Sequence, residues 1–210
     1  MKEHPILFST LMVQAILKGS KTQTRRVIKD IQEWHPLPDI TCLKFKGVNC
    51  GSILSADGEG FAQKYVKTLC PYGQPGDRLW VRETFIDLTK TPVCGAGSEK
   101  YQGLKVWYKA DNTRETEVSG NYKPSIHMPR WASRINLEIT NIRVQRVQEI
   151  TLGDAIAEGV ASLDPNWHTA ALVDFQRLLD TINSKRGYSW EVNPWVWAIT
   201  FKLLTPQLTS

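Results

Sequence analysis

The chain has no apolar run approaching the roughly 20 residues that a membrane-spanning helix requires. Met1 to Phe8 holds only a short apolar stretch, with neither a long hydrophobic region nor a cleavage site. A cytoplasmic protein with no membrane partner is expected. Cysteine is scarce: the four residues Cys42, Cys50, Cys70 and Cys94 lack the paired C-x-x-C spacing of a zinc knuckle and are read as reduced thiols. There is no H-E-x-x-H, no phosphate-cradling glycine loop, no dinucleotide fingerprint and no internal repeat. The expectation is a protein that uses neither metal nor cofactor. Excess charge is also small: a formal +5 and a pI near 9.0 permit a nucleic-acid or nucleotide partner without demanding one.

What is present fits one folded unit. A length of 210 residues, with 41% hydrophobic and 22% charged side chains, suits a single domain with generous insertions and excludes wholesale disorder. Two stretches concentrate positive charge. From Lys18 to Lys29 there are five basic residues and no acid, and from Lys123 to Arg146 there are five against the single Glu138. These stretches fit either one phosphate-tracking surface or the solvated faces of two unrelated elements. The eight tryptophans likewise fit base-stacking platforms or an aromatic-rich core.

Read in order, Ile6 to Phe8 predicts a short buried strand. Ser9 then caps a helix whose stripe is Leu11, Met12, Ala15 and Ile16, closed by Gly19. Thr22 to Ile28 predicts a strand with Thr22, Thr24 and Arg26 on one face and Lys21 on the opposite parity, so that Lys21 reaches Thr24 only through a backbone turn or bulge or by folding back its long stem. Residues 29 to 76, rich in glycine and proline, predict loops and hairpins with a strand-like run at Cys42 to Phe45. Arg78 to Phe85 is the strongest strand pattern. Leu79, Val81 and Phe85 share a face with Glu83, which fits a place at a barrel rim, an ion pair with arginine or a place in a pocket. Leu104 to Lys109 predicts another strand, and the two prolines of Lys123 to Arg134 exclude regular structure there. Ile135 to Val147 reads as long strand structure whose apolar parity shifts at Asn141, the mark of a bulge or turn. Thr151 and Asp154 form a helix-capping pair, and the short helix stops at Gly159. Leu172 to Ile182 traces an amphipathic helix, and Trp195 to Phe201 a closing strand.

The segment Gly19-Ser20-Lys21-Thr22-Gln23-Thr24-Arg25-Arg26 gathers an amine, hydroxyls and two guanidinium groups just past a helix end. It fits a solvated basic turn or a catalytic loop. Glu158 adds a local anomaly, because a carboxylate at a helix C-terminus meets the negative end of the helix dipole. Such an exception to a local rule marks either a site or a screened surface residue.

Three stretches together resemble the ASCH domain family, whose members are PUA-like β-barrels. They are the helix with Gly19 to Arg26, Gly76-Asp77-Arg78-Leu79-Trp80-Val81-Arg82-Glu83, and the closing Trp195-Val196-Trp197-Ala198-Ile199-Thr200-Phe201. With Ser125 to Arg134 and Asp154 to Gly159 included, the whole chain is similar to the larger ASCH proteins commonly encoded by phages and prophages. The spread-out strands with two or three helices already describe an α+β fold on a small curled sheet or barrel, and the resemblance implies that it is a PUA-like small β-barrel. It also implies one domain over residues 1–204, with insertions at 29–76 and 87–125 and a frayed tail at 205–210.

Small bacterial ASCH amidohydrolases remove the acyl group of N4-acetylcytidine with a lysine, a threonine three residues later and a distant glutamate. Lys21 and Thr24 match the first two in the frame G-x-K-T-x-T-x-R, and Glu158 matches the third by its place in the helix after the long strands. In that reading Thr24 attacks the acyl carbonyl, Lys21 takes its proton, and Glu158 holds the lysine or the leaving amine. Thr22, Arg25, Arg26, Trp80, Glu83, His127 and Arg130 are the implied ligand-binding set. The implied partner is a modified nucleoside. The alternative is a non-catalytic module for RNA or single-stranded nucleic acid, with Trp80, Trp131 or Tyr108 stacking on bases. A structural phage factor with a protein partner is a third possibility.

Overall fold

The computed structural model describes residues 1–29, 31–37, 40–52, 61–89, 103–112, 121–160 and 167–204. Cys94 and the tail expected to fray lie outside the described residues. The fold is α+β. Its main sheet has five strands in the order β1-β6-β9-β10-β2: β1 (Glu3–Leu7), β6 (Arg78–Arg82), β9 (Asn136–Arg146), β10 (Trp195–Leu204) and β2 (Gln23–Val27). β1 runs parallel to β6 and the other pairings are antiparallel.

Local chemistry sets the element ends. The Ser9 hydroxyl accepts the Met12 N–H and starts α1 (Thr10–Leu17), and Gly19 closes it at φ +76°. Thr151 and Asp154 cap α3 (Leu152–Ala157) reciprocally. In β9, Asn141 faces Thr200 and Ile139 faces Phe201, so Thr140 is the extra residue of a bulge. The buried positions accordingly change parity there, from Leu137 and Ile139 to Ile142 and Val144.

Three expectations are corrected. The stretch 29–76 holds more than hairpins. β3 (Ile31–Leu37), β4 (Ile40–Phe45) and β5 (Val48–Ser52) form a separate antiparallel sheet, and a helix, α2 (Phe61–Thr68), follows with Ala62 and Val66 fully buried against the main core. Alanine and valine separated by four residues share a helix face, a signal too short to stand out among flanking glycines. The strong strand pattern also divides: β6 ends at Arg82 and β7 (Phe85–Asp87) joins β8 (Val106–Tyr108) in a two-stranded sheet. β10, expected to alternate, is buried at every residue from Trp195 to Ile199. Layers on both faces explain this: Trp197, Ile199 and Phe201 join a core with α1, and Val196 joins a second core with α3 and α4 (Trp167–Asn183).

The strand pairing is open among the described residues. β1 and β2 are nevertheless the two sheet edges, and Arg26 Nη2 donates to Leu7 O across them at 2.6 Å. The sheet curls until one arginine side chain spans the gap.

Candidate functional site

The turn after α1 and the end of α3 meet. The Thr22 N–H donates to Ala157 O at 2.8 Å, and Thr22 O accepts from Phe201 N–H at 2.9 Å. Lys21 pairs with Glu158 as an isolated β-bridge. Gly159 permits this approach, since a Cβ there would lie 2.8 Å from Lys21 Cβ and 2.9 Å from Ala15 Cβ.

Lys21 is 2% exposed, and its Nζ donates to Gln23 O, Glu158 O and Glu158 Oε2, each at 2.8 Å. All three ammonium protons are engaged. Burial pulls its pKa below the ordinary lysine value; Glu158 opposes the shift, while Arg26 and Arg25 add to it. The other Glu158 oxygen, Oε1, accepts from Arg25 Nη1 at 3.1 Å. Two buried cations thus answer the unfavourable helix end at which Glu158 sits. Arg25 Nη2 lies 2.8 Å from Asp154 Oδ2 without a directed hydrogen bond, so that contact is chiefly Coulombic. Asp154 also takes Arg143 Nη2 at 3.1 Å on each oxygen. Burial favours its neutral form, but Arg25 and then Arg143 outweigh that and hold its pKa below the ordinary value.

This network backs a cleft of about 380 Å³, a volume within the small-molecule range. Thr24, Arg25 and Glu158 border it, whereas Lys21 stands behind them. The Gln23 carbonyl that Lys21 Nζ holds belongs to the peptide bond leading into Thr24. The Thr24 hydroxyl makes no hydrogen bond among the described residues and is not among the buried, unpartnered atoms. Arg26, Lys29, Arg82 and Arg186 join Arg25 on the lining, and Glu158 is its one acid among the described residues. Phe175, Leu178 and Tyr188 supply apolar and aromatic wall. The lining is thus mainly cationic, with an apolar and aromatic wall.

Among the expected residues, Lys21, Thr24, Glu158, Arg25 and Arg26 come together here. Thr22 is exposed and acts through its backbone. Trp80, Glu83, His127 and Arg130 do not border the cleft. Trp80 lies on β6 with Arg82 and Arg130 over its ring, at 5.5 and 5.8 Å from the centroid. Arg130 ties to Glu3 and Asn136, and His127 is exposed in a 3-10 turn. Glu83 is 1% exposed and pairs with Arg134 at 3.0 and 3.2 Å, while Arg134 also binds Asp111 and lies 3.9 Å from the Tyr108 ring centroid. Burial raises the Glu83 pKa despite Arg134, whereas the two carboxylates outweigh burial at Arg134 and raise its pKa. One shift favours a neutral acid and the other a charged arginine: burial dominates at Glu83, whereas Arg134 answers to Asp111 as well as to Glu83.

Lys29, Tyr72, Arg82, Arg186 and Tyr188 also border the cleft, beyond the expected set. Lys29 belongs to the first basic run, and Arg82 occupies the strand parity opposite Leu79 and Val81; both signals were present in the sequence. Tyr72, Arg186 and Tyr188 come from segments distant in the chain. Among the described residues no three of His, Cys, Asp and Glu gather as a metal set, and no helix is long and apolar enough to cross a membrane. No family model matches the chain, and no curated protein or solved structure is significantly similar to it.

Proposed function

We propose that the cleft binds a nucleoside-like ligand and that Lys21, Thr24 and Glu158 hydrolyse an N-acyl amide carried on its base, as in N4-acylcytidine. The proposed scaffold is the curled, PUA-like sheet of the ASCH kind. One observation carries the reading: a buried lysine of lowered pKa is fixed on the peptide bond leading into Thr24, whose uncommitted hydroxyl borders a cleft of nucleoside-compatible size.

The chemistry follows from the count of donors. Ammonium Lys21 spends three protons on three acceptors. Loss of one proton leaves two N–H donors and a lone pair, and that lone pair takes the Thr24 proton as Oγ adds to the acyl carbonyl carbon. Collapse of the adduct breaks the C–N bond, and Lys21 returns the proton to the leaving amine. Water then adds to acyl-Thr24 and gives a proton to Lys21; the ester bond to Oγ breaks, Lys21 passes that proton to Thr24 Oγ, and the carboxylic acid leaves. Direct attack by water, with Thr24 relaying its proton, gives the same products. Glu158 restrains the lysine, and the surrounding cations favour the oxyanion.

The test is release of acetate from N4-acetylcytidine by purified protein. Lys21→Ala and Thr24→Ala should each lower the rate by at least about 10²-fold. Wild-type protein inert toward a panel of N-acylated nucleosides contradicts the reading.

A second reading, non-catalytic binding of RNA or single-stranded nucleic acid, draws support from the lining charge: Arg25, Arg26, Lys29, Arg82 and Arg186 against Glu158.

A further inference from the structure

A second pocket of about 300 Å³ adjoins the cleft and shares Val27, Lys29 and Tyr72 with it. Its other walls are Phe45 from the end of β4, Trp197 from β10, Lys46, Leu69 and Pro71. Phe45 and Trp197 meet edge to face, with centroids 6.2 Å apart and planes at 83°. Trp197 is 5% exposed, and its indole N–H has no acceptor within the fold. Lys46 Nζ sits 5.3 Å from the Phe45 ring centroid, which holds one cation at the rim. Lys29, at the junction of the two pockets, makes no ion pair among the described residues.

We infer that the ligand spans both pockets, with one base in the cleft, a second base against Phe45, Tyr72 and Trp197, and the connecting phosphate at Lys29. This assigns a dinucleotide or a longer strand to the site, and it rests on the nucleoside reading of the cleft. Aromatic walls suit the faces of any base, a junction lysine suits a phosphate, and a second rim lysine suits the next one. Phe45, Lys46 and Leu69 all belong to the 29–76 stretch. That stretch therefore extends the site by one nucleotide.

The experiment titrates full-length protein at low salt with cytidine 3′-monophosphate and with cytidylyl-2-aminopurine riboside 3′-monophosphate, whose terminal phosphate is the one assigned to Lys46, following 2-aminopurine fluorescence for the latter. The dinucleotide should bind at least about tenfold tighter and be quenched, as one stacked base would give. Leu69→Trp, which fills the second pocket, and Lys46→Gly, which removes its rim charge, should each reduce that advantage to within about twofold. Both should leave the monophosphate affinity unchanged. Equal affinity for the two ligands overturns the inference while leaving the cleft reading in place, and failure of both to bind overturns the two together. An advantage insensitive to both substitutions, or N4-benzoylcytidine turnover selectively blocked by Leu69→Trp, also overturns it, the latter by assigning the pocket to the acyl group.

Discussion

Gly159 is the residue on which the site depends most sharply without touching a ligand. Its φ of +76° and the 2.8 Å approach to Lys21 Cβ leave no room for a side chain. Gly159→Ala should cost at least about 1 kcal/mol from the left-handed backbone alone, and it should force Lys21 from Glu158. Urea unfolding checks the first effect; hydrolysis checks the second, and activity should fall further than stability accounts for. The sequence showed the glycine as a helix stop and Glu158 as a carboxylate at the wrong helix end. It could not show that Lys21 and Arg25 lie against that carboxylate, because 137 residues separate Lys21 from Glu158. Parity put Lys21 on the face opposite Thr24, and of the routes that left open it is the folded-back stem that the structure shows, with Nζ on Gln23 O at the peptide bond before Thr24.

At the scale of elements, the link between Glu83, Arg134 and Asp111 joins the end of β6 to the segment after β8. Arg134→Met strands a buried carboxylate and should destabilise the fold by about 3 kcal/mol; adding Glu83→Gln should recover most of that loss. The pH dependence has a definite sign. Burial raises the folded-state pKa of Glu83 above its unfolded value, so the native state holds the extra proton, and stability falls as pH rises through the window above the ordinary glutamate value. Removing Arg134 should steepen that fall, as denaturation midpoints across the window would record. An acid in register with Leu79 and Val81 stood out, and pairing with an arginine was one of the three readings it allowed. Which arginine supplied the partner depended on a chain crossing of 51 residues. The caps of α1 and α3 and the bulge of β9 were legible because each is written within a few consecutive residues. Helix α2 was not, because its burial comes from β9 and the second sheet.

Across the whole molecule, the α+β class and the places of the main strands along the chain follow from periodicity. The three-sheet division does not, since register over long separations leaves no local trace. The two basic runs illustrate the same limit. The first supplies Arg25, Arg26 and Lys29 to one cleft, whereas Arg130, Arg134 and Arg143 of the second are committed to Glu3, Glu83, Asp111 and Asp154. A polyanion should therefore engage the cleft side. Affinity for single-stranded RNA should fall steeply with salt, and Arg186→Ala should make the slope shallower by about one phosphate contact; a salt-independent affinity contradicts this.

The central claim concerns Lys21 as a proton acceptor for Thr24, and the pH dependence of kcat/KM for N4-acetylcytidine tests it most directly. Because burial depresses the lysine pKa, the rate should rise with pH along a limb whose midpoint lies below the roughly 10.4 of a free lysine. Lys21→Ala should abolish that limb, and Thr24→Ala should leave no rate to titrate. Acid release that persists unchanged in either variant, or wild-type hydrolysis with no rising limb below that value, would contradict the account.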